Sequence, residues 1–156
     1  TPSVPGAGHG VVYYEALGSL VALVAEVTVN QDNSDEPVFV HNVYCAVDCG
    51  EVIHPNAASA QIEGAVIYGL TAALYGHIDI EDGRVTQSGF YDYRALTLKN
   101  SPHVAVEFIR SGANLGGIGE TGTPGIAPAV TNAVFQLTGE RIRKLPIRQF
   151  TCGLPS

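Results

Sequence analysis

The sequence predicts an α+β domain, a mixed and largely antiparallel sheet carrying two main helices. Three observations lead there. Runs of β-branched residues separated by short polar turns fill the first third of the chain. A long, nearly uncharged stretch with helical periodicity follows Pro55. A second helical stretch follows a glycine-rich loop around residue 120. A length of 156 residues suits a single domain, 1–156, with a real core.

Taken in order, VVYYE (11–15) and LVALVAEVTV (20–29) read as strands with Gly18 and Ser19 between them. Val21, Leu23, Ala25, Val27 and Val29 form one apolar face of the second strand, while the other face carries Glu26 and Thr28. QDNSDEP (31–37) is a polar turn, and VFVHNVYCAVD (38–48) returns as a third strand. Pro55 then opens a helix to about Leu74, since proline suits a first helical turn. Its apolar face is Ile62, Val66, Gly69 and Ala73. The opposite side holds Gln61, Gly64, Ala65, Tyr68 and Ala72, with Glu63 the one charge in the region. A helix so poor in charge is expected to be covered on both sides, with Gly64 and Gly69 allowing close neighbours. EDG between HIDI (77–80) and RVTQS (84–88) signals a hairpin. VAVEFIR (104–110) alternates as a strand. The last helix is expected over Pro128–Thr138, with Val130, Ala133, Val134 and Leu137 inward and Gly139 just past its end.

Composition narrows the function. Net charge is −7, and the eight Lys and Arg residues do not cluster beyond Arg141, Arg143 and Lys144, so nucleic acid is not an expected partner. No apolar run is long enough to read as a transmembrane segment, and TPSVPGAGHG does not read as a signal peptide. Hydrophobic residues make up 46% and charged residues 15%, which suggests apolar surface buried against a partner. The chain contains no methionine and opens in a Pro/Gly-rich stretch, so it reads as a piece of a longer polypeptide. Cys45 and Cys49 fall on one pleat face without a second pair, and read as buried thiols rather than a metal site; Cys152 lies apart. His9, His41, His54, His77 and His103 lack metal-ligand spacing, and no metal ligand is expected.

The motifs leave little conventional chemistry. GAGHG (6–10) resembles half a dinucleotide fingerprint, but no strand precedes it, and a flexible entry segment is the simpler reading. GGIGETG lacks the Gly-Lys-Ser/Thr of a phosphate-binding loop, and no GxSxG serine occurs. What stands out is Glu120, a single carboxylate in a bare glycine loop ahead of a helix. It is either a favourable contact with the helix dipole or a general base aimed at a ligand.

The order of three segments carries a resemblance. AVDCGEVIHPNAASAQIEGAVIYGLTAAL (46–74), GRVTQSGFYDYR (83–94) and GGIGETGTPGIAPAVTNAVFQLTGERIRKLPI (116–147) resemble the molybdenum hydroxylases, the xanthine oxidase and aldehyde oxidase superfamily. GHGVVYYEALGSLVALVAEVTV (9–29) fits the same group, within which the chain resembles bacterial isoquinoline 1-oxidoreductase-like and aldehyde-oxidising large subunits. The likeness covers nearly the whole chain and matches the C-terminal, second molybdopterin-binding domain of the large subunit. It implies a molybdenum cofactor, in the molybdopterin or cytosine dinucleotide form, and iron–sulfur clusters in a partner domain or subunit. The implied partners are the N-terminal molybdopterin-binding domain of the same subunit and an iron–sulfur small subunit. The implied reaction hydroxylates an aldehyde or N-heterocycle carbon with oxygen from water. By the same resemblance Glu120 is the catalytic base, Gly119 places its backbone beside the metal centre, and Gln61 contacts the cofactor. Gly116 and Gly117 would form part of the cofactor-facing loop, and Glu63 would be structural. Two positions depart from the pattern: Ala60 stands where many relatives have glycine, and His9 where they often carry arginine or glutamine. A second reading, of another class, is a non-catalytic interaction or scaffold fragment that lacks its partner cofactor domain.

Overall fold

Residues 3–30 and 36–147 are described by the computed structural model, and the first feature of the fold is a tight hairpin. Strand β1 (Gly8–Ala16) pairs antiparallel with β2 (Ser19–Val29), with Ala16 opposite Ser19. The two residues between them, Leu17 and Gly18, both have positive φ, 55° and 76°. That is the backbone a two-residue hairpin needs to match strand twist, and Leu17 is an uncommon residue to adopt it. β3 (Val38–Asp48) pairs antiparallel with β2, and β6 (His103–Phe108) pairs parallel with β3, giving the order β1-β2-β3-β6. A parallel pair needs a crossover, and the chain between β3 and β6 supplies it with helix α1 (Pro55–Tyr75) and a small hairpin, β4 (Ile80–Glu81) and β5 (Arg84–Val85). Asp82 and Gly83 turn that hairpin with positive φ, as the EDG signal implies. The mixed sheet and two helices are the α+β architecture read from the sequence.

One face of the sheet carries the core. Val21, Leu23, Ala25 and Val27 are fully buried, together with Val40, Val43 and Val47 of β3. Helix α2 (Thr123–Thr138) lies across β1 and β2 through Ile126, Ala129, Val130, Ala133 and Val134, all fully buried. α1 packs beside α2 through Ile62, Val66, Leu70 and Ala73. His54 caps α1 by accepting the Ala57 amide on Nδ1 at 3.2 Å, and Gly139 ends α2 in the left-handed conformation. Cys45 and Cys49 are buried free thiols; burial pushes the Cys45 thiol up to about 12 and raises Cys49 as well. Cys152 and most of the 31–37 turn lie outside the described residues.

Three expectations need correction. α2 begins at Thr123, not Pro128. Pro124 sits in the first turn, where a missing N–H costs nothing, and burial of Ile126 stabilises that turn ahead of Pro128. GAGHG is no flexible entry segment, because Gly8 and Gly10 lie within β1 under α2. A Cβ on Gly10 would sit 1.8 Å from the Ala129 carbonyl oxygen, so the glycine serves helix-on-sheet packing. Finally, α1 is covered on one side within this chain, while Gln61, Gly64, Tyr68 and Ala72 remain exposed.

Among the described residues, the sheet's other face carries one buried charge. Glu26 is 1% exposed and opposite both His9 and Asn42 in the register. Its carboxylate accepts hydrogen bonds from Asn42 Nδ2, from the Val4 amide at 2.8 Å and from the Ser3 hydroxyl at 2.9 Å. Those donors, with a smaller contribution from His9 Nε2 at 3.4 Å, hold its pKa down at about 2. A depressed folded-state value means that Glu26 stabilises the fold fully above its ordinary value, near 4.5, and loses that contribution as pH falls toward about 2. Urea midpoints of the chain and of Glu26→Gln should therefore differ most near neutrality and converge on acidification through that window. A constant gap across the window would contradict the assignment.

Candidate functional site

Three segments meet at one end of the helix pair: the Leu17–Gly18 turn, the exposed side of α1 and the loop leading into α2. Between them lies a cleft of about 730 Å³, lined by Leu17, Gln61, Gly64, Tyr68, Gly119 and Glu120 among others. A second hollow of about 540 Å³ adjoins it, between the approach to α1 at Ile53–His54 and the loop residues Leu115, Gly116 and Ile118. Gln61 and Gly119 line both, and their hydrogen bond, Gln61 Nε2 donating to the Gly119 carbonyl at 2.9 Å, divides the two hollows. α1 places Gln61, Gly64 and Tyr68 in this wall because they recur at helical spacing on its uncovered side. Glu63 is exposed and lines neither hollow.

The loop's glycines divide into two kinds. A Cβ on Gly116 would lie 2.2 Å from Ser19 Oγ, and one on Gly117 3.0 Å from Leu17 Cβ. Their backbones are tied there as well: the Gly117 amide donates to the Leu17 carbonyl at 2.9 Å, and the Ser19 hydroxyl to the Gly117 carbonyl at 2.8 Å. Gly116 donates to the Cys49 carbonyl at 3.0 Å. Gly122 is similarly confined by the Ile62 carbonyl and Ala65. These glycines are small because the chain itself crowds them. Gly119 and Gly64 are different: a Cβ on either would meet nothing within 4 Å. Both line the larger cleft, and none of the described residues crowds the space where their side chains would be.

Glu120 is exposed at the cleft, two residues ahead of Gly122, the N-cap of α2. Its carboxylate has no hydrogen-bond partner among the described residues, while its carbonyl accepts the Thr123 amide at 3.0 Å. None of the residues lining the cleft is a cation, so an anionic ligand would meet backbone amides and the α2 N-terminus there rather than lysine or arginine. Sequence reasoning overlooked Leu17 and Tyr14. Tyr14, on the helix-facing side of β1, donates its hydroxyl to the Thr121 carbonyl. A polar tip on a core-facing strand position needs a partner, and that signal could have found it. The Thr121 hydroxyl is buried with no partner among the described residues.

Comparison with known proteins identifies the family and the fold. A family model described as the molybdopterin cofactor-binding domain matches residues 7–102. The β subunit of isoquinoline 1-oxidoreductase from Brevundimonas diminuta is 36% identical over 92% of this chain. A membrane-bound aldehyde dehydrogenase from Gluconacetobacter polyoxogenes is 35% identical over 77% of it. The chain spans only 18% and 16% of those two proteins' lengths. Among solved structures, the aldehyde oxidoreductase from Desulfovibrio desulfuricans ATCC 27774 shares the fold with TM-score 0.73 and 21% identity, over 88% of this chain and 16% of that one. Quinoline 2-oxidoreductase from Pseudomonas putida 86 does so with TM-score 0.71 and 22% identity, over 83% and 17%. With the fold shared with these enzymes and the family match running through β1, β2, β3 and α1, the chain belongs to the molybdopterin cofactor-binding domain family of the molybdenum hydroxylases.

Proposed function

We propose that this chain is the second molybdopterin-binding domain of a molybdenum hydroxylase large subunit, and that it contributes the general base Glu120. The parent reaction is hydroxylation of an aldehyde or an N-heterocycle carbon with oxygen from water. The observation that carries this reading is the convergence of Gln61, Gly119 and Glu120 on one cleft whose two glycines, Gly64 and Gly119, are bare. Glycines with open space over them fit a flat, bulky group laid against the backbone. The residues present therefore suit a molybdopterin, plain or as the cytosine dinucleotide.

In this reading Gln61 presents its carbonyl oxygen Oε1, since its amide Nε2 already holds Gly119. Gly119 offers its backbone, Gly116 borders the second hollow, and Gly117 shapes the loop from its seat on Leu17 and Ser19. When bound, the cofactor supplies the oxidation, and the electrons leave through iron–sulfur clusters in another domain or subunit. The part of this chain is to place a proton acceptor. Glu120 fits that part because its carboxylate has no partner within the described residues and it lines the same cleft as the two bare glycines. Leu17 and Tyr68 present apolar and aromatic surface beside it and would limit water at the reacting atoms.

Partners follow from what the chain leaves bare. Phe90 and Leu98 are 99% and 98% exposed, Tyr91 next to Phe90 is exposed as well, and so are Ile53, which lines the second hollow, and Ile80. Apolar side chains this bare mark surface that another body covers. We assign that cover to the N-terminal molybdopterin-binding domain of the same large subunit, with an iron–sulfur small subunit completing the assembly.

Two measurements check the reading. The chain purified alone from a host that makes the cofactor should hold far less than one molybdenum per chain, because half the cradle is missing. Stoichiometric metal would contradict the division of the site. In the intact enzyme, Glu120→Gln keeps the shape and removes the base, so turnover should fall about 10²–10⁴-fold with molybdenum content unchanged. Near-normal turnover with full metal would return Glu120 to an ordinary loop acid and favour the helix-dipole reading.

A further inference from the structure

We propose that Tyr14 is a positioning residue: its hydroxyl, together with the Gln61 amide, grips the backbone on either side of Glu120 and fixes the direction of that carboxylate. The proposal rests on the reading of Glu120 as the general base. Three successive carbonyls carry it. The Gly119 carbonyl accepts from Gln61 Nε2 at 2.9 Å, the Glu120 carbonyl from the Thr123 amide at 3.0 Å, and the Thr121 carbonyl from the Tyr14 hydroxyl. The first two holds set the peptide planes on both sides of the Glu120 Cα, and the Tyr14 hydroxyl sets the next plane, between Thr121 and Gly122, so that the segment carrying Glu120 is anchored at both ends. One grip comes from α1 and the other from β1, so the loop is held from two independent elements.

Tyr14 is itself seated firmly. A Cβ on Gly125 would lie 2.2 Å from Tyr14 Cε1 and 2.7 Å from Leu23 Cδ1, so the first turn of α2 is cut away to admit the ring. The Thr121 hydroxyl has no partner among the described residues, so the Tyr14 hydroxyl bonded to its carbonyl is the side-chain hold on that residue. Burial pushes the Tyr14 phenol up to about 12, so the hydroxyl stays a donor at any pH near neutrality. Tyr14 does not line the cleft, and it acts on the reaction only through the loop. A carboxylate held in a productive direction needs such support, since small misplacements of a reacting group cost rate steeply.

The test uses the intact enzyme. Tyr14→Phe removes one oxygen and should lower kcat about 10–100-fold with KM and molybdenum content unchanged. Hydrogen exchange at the amides of residues 117–123 should quicken, measured on cofactor-free subunit of both proteins so that loading does not enter. In a Glu120→Gln background Tyr14→Phe should cost no further turnover, because no base is left to aim. Unchanged exchange, unchanged kcat beside an inactive Glu120→Gln, or an equal loss in both backgrounds would each overturn the proposal. Normal turnover in Glu120→Gln alone would instead refute the base reading, and the exchange data would then judge the grip by themselves. Should Tyr14→Phe fail to accumulate, Gly125→Ala, whose methyl displaces the ring, is expected to give the same signature. Its absence would count equally against the grip.

Discussion

The loop from Gly116 to Thr123 holds its carboxylate in place because its backbone is tied down along its length, and the proposed function depends on that. Cys49 and Leu17 hold its first two amides, Ser19 and Gln61 hold carbonyls further on, and Tyr14 holds the last. The five ties come from five parts of the fold: the residue after β3, the β1–β2 turn, the start of β2, α1 and β1. The loop alone would have the freedom of its glycines, a large entropy to lose on binding. Most of that loss has already occurred in folding, so a ligand would meet a set surface. The uncommon positive φ of Leu17 belongs to the same arrangement, because the turn it makes brings the Leu17 carbonyl to Gly117.

The glycines show how far such a sequence can be read. The bareness of the loop was legible, and so was the likeness of its order to a known family. The division of labour was not, because a glycine crowded by its own chain and one open to a ligand are identical letters. Gly117 against Leu17 and Gly119 over open space differ only in what tertiary folding brings near. Periodicity found β2 and α1 well, since Val21–Val27 and Ile62–Ala73 repeat cleanly on one face. It missed the start of α2, where packing of Ile126 outweighs the local signal of Pro128. Tyr14 was passed over because alternation in VVYYE identifies a face without saying which side chain on it reaches a loop over a hundred residues away.

The low charge of the chain takes on meaning in the fold. α1 hides one side in the core and leaves Gln61, Gly64, Tyr68 and Ala72 bare, and the segment after it exposes Phe90, Tyr91 and Leu98. The chain spans less than a fifth of the length of the two relatives named above, and the proposed partner domain is what would cover this surface. Among the described residues Glu26 is the one buried charge; it stands on the opposite face of the sheet, and its carboxylate is hydrogen-bonded by Asn42, Val4 and Ser3. The face carrying Glu26 thus contributes stability, and the proposed chemistry lies at the other site, the end carrying Glu120.

The central claim is that the cleft between α1 and the glycine loop receives the cofactor. A structure of the intact, metal-loaded large subunit tests it most directly. The account predicts cofactor atoms packed on the Gly119 backbone and over Gly64, with the Gln61 side chain in contact and the Glu120 carboxylate facing the metal. A cleft filled by polypeptide, with the cofactor lying elsewhere, would contradict it.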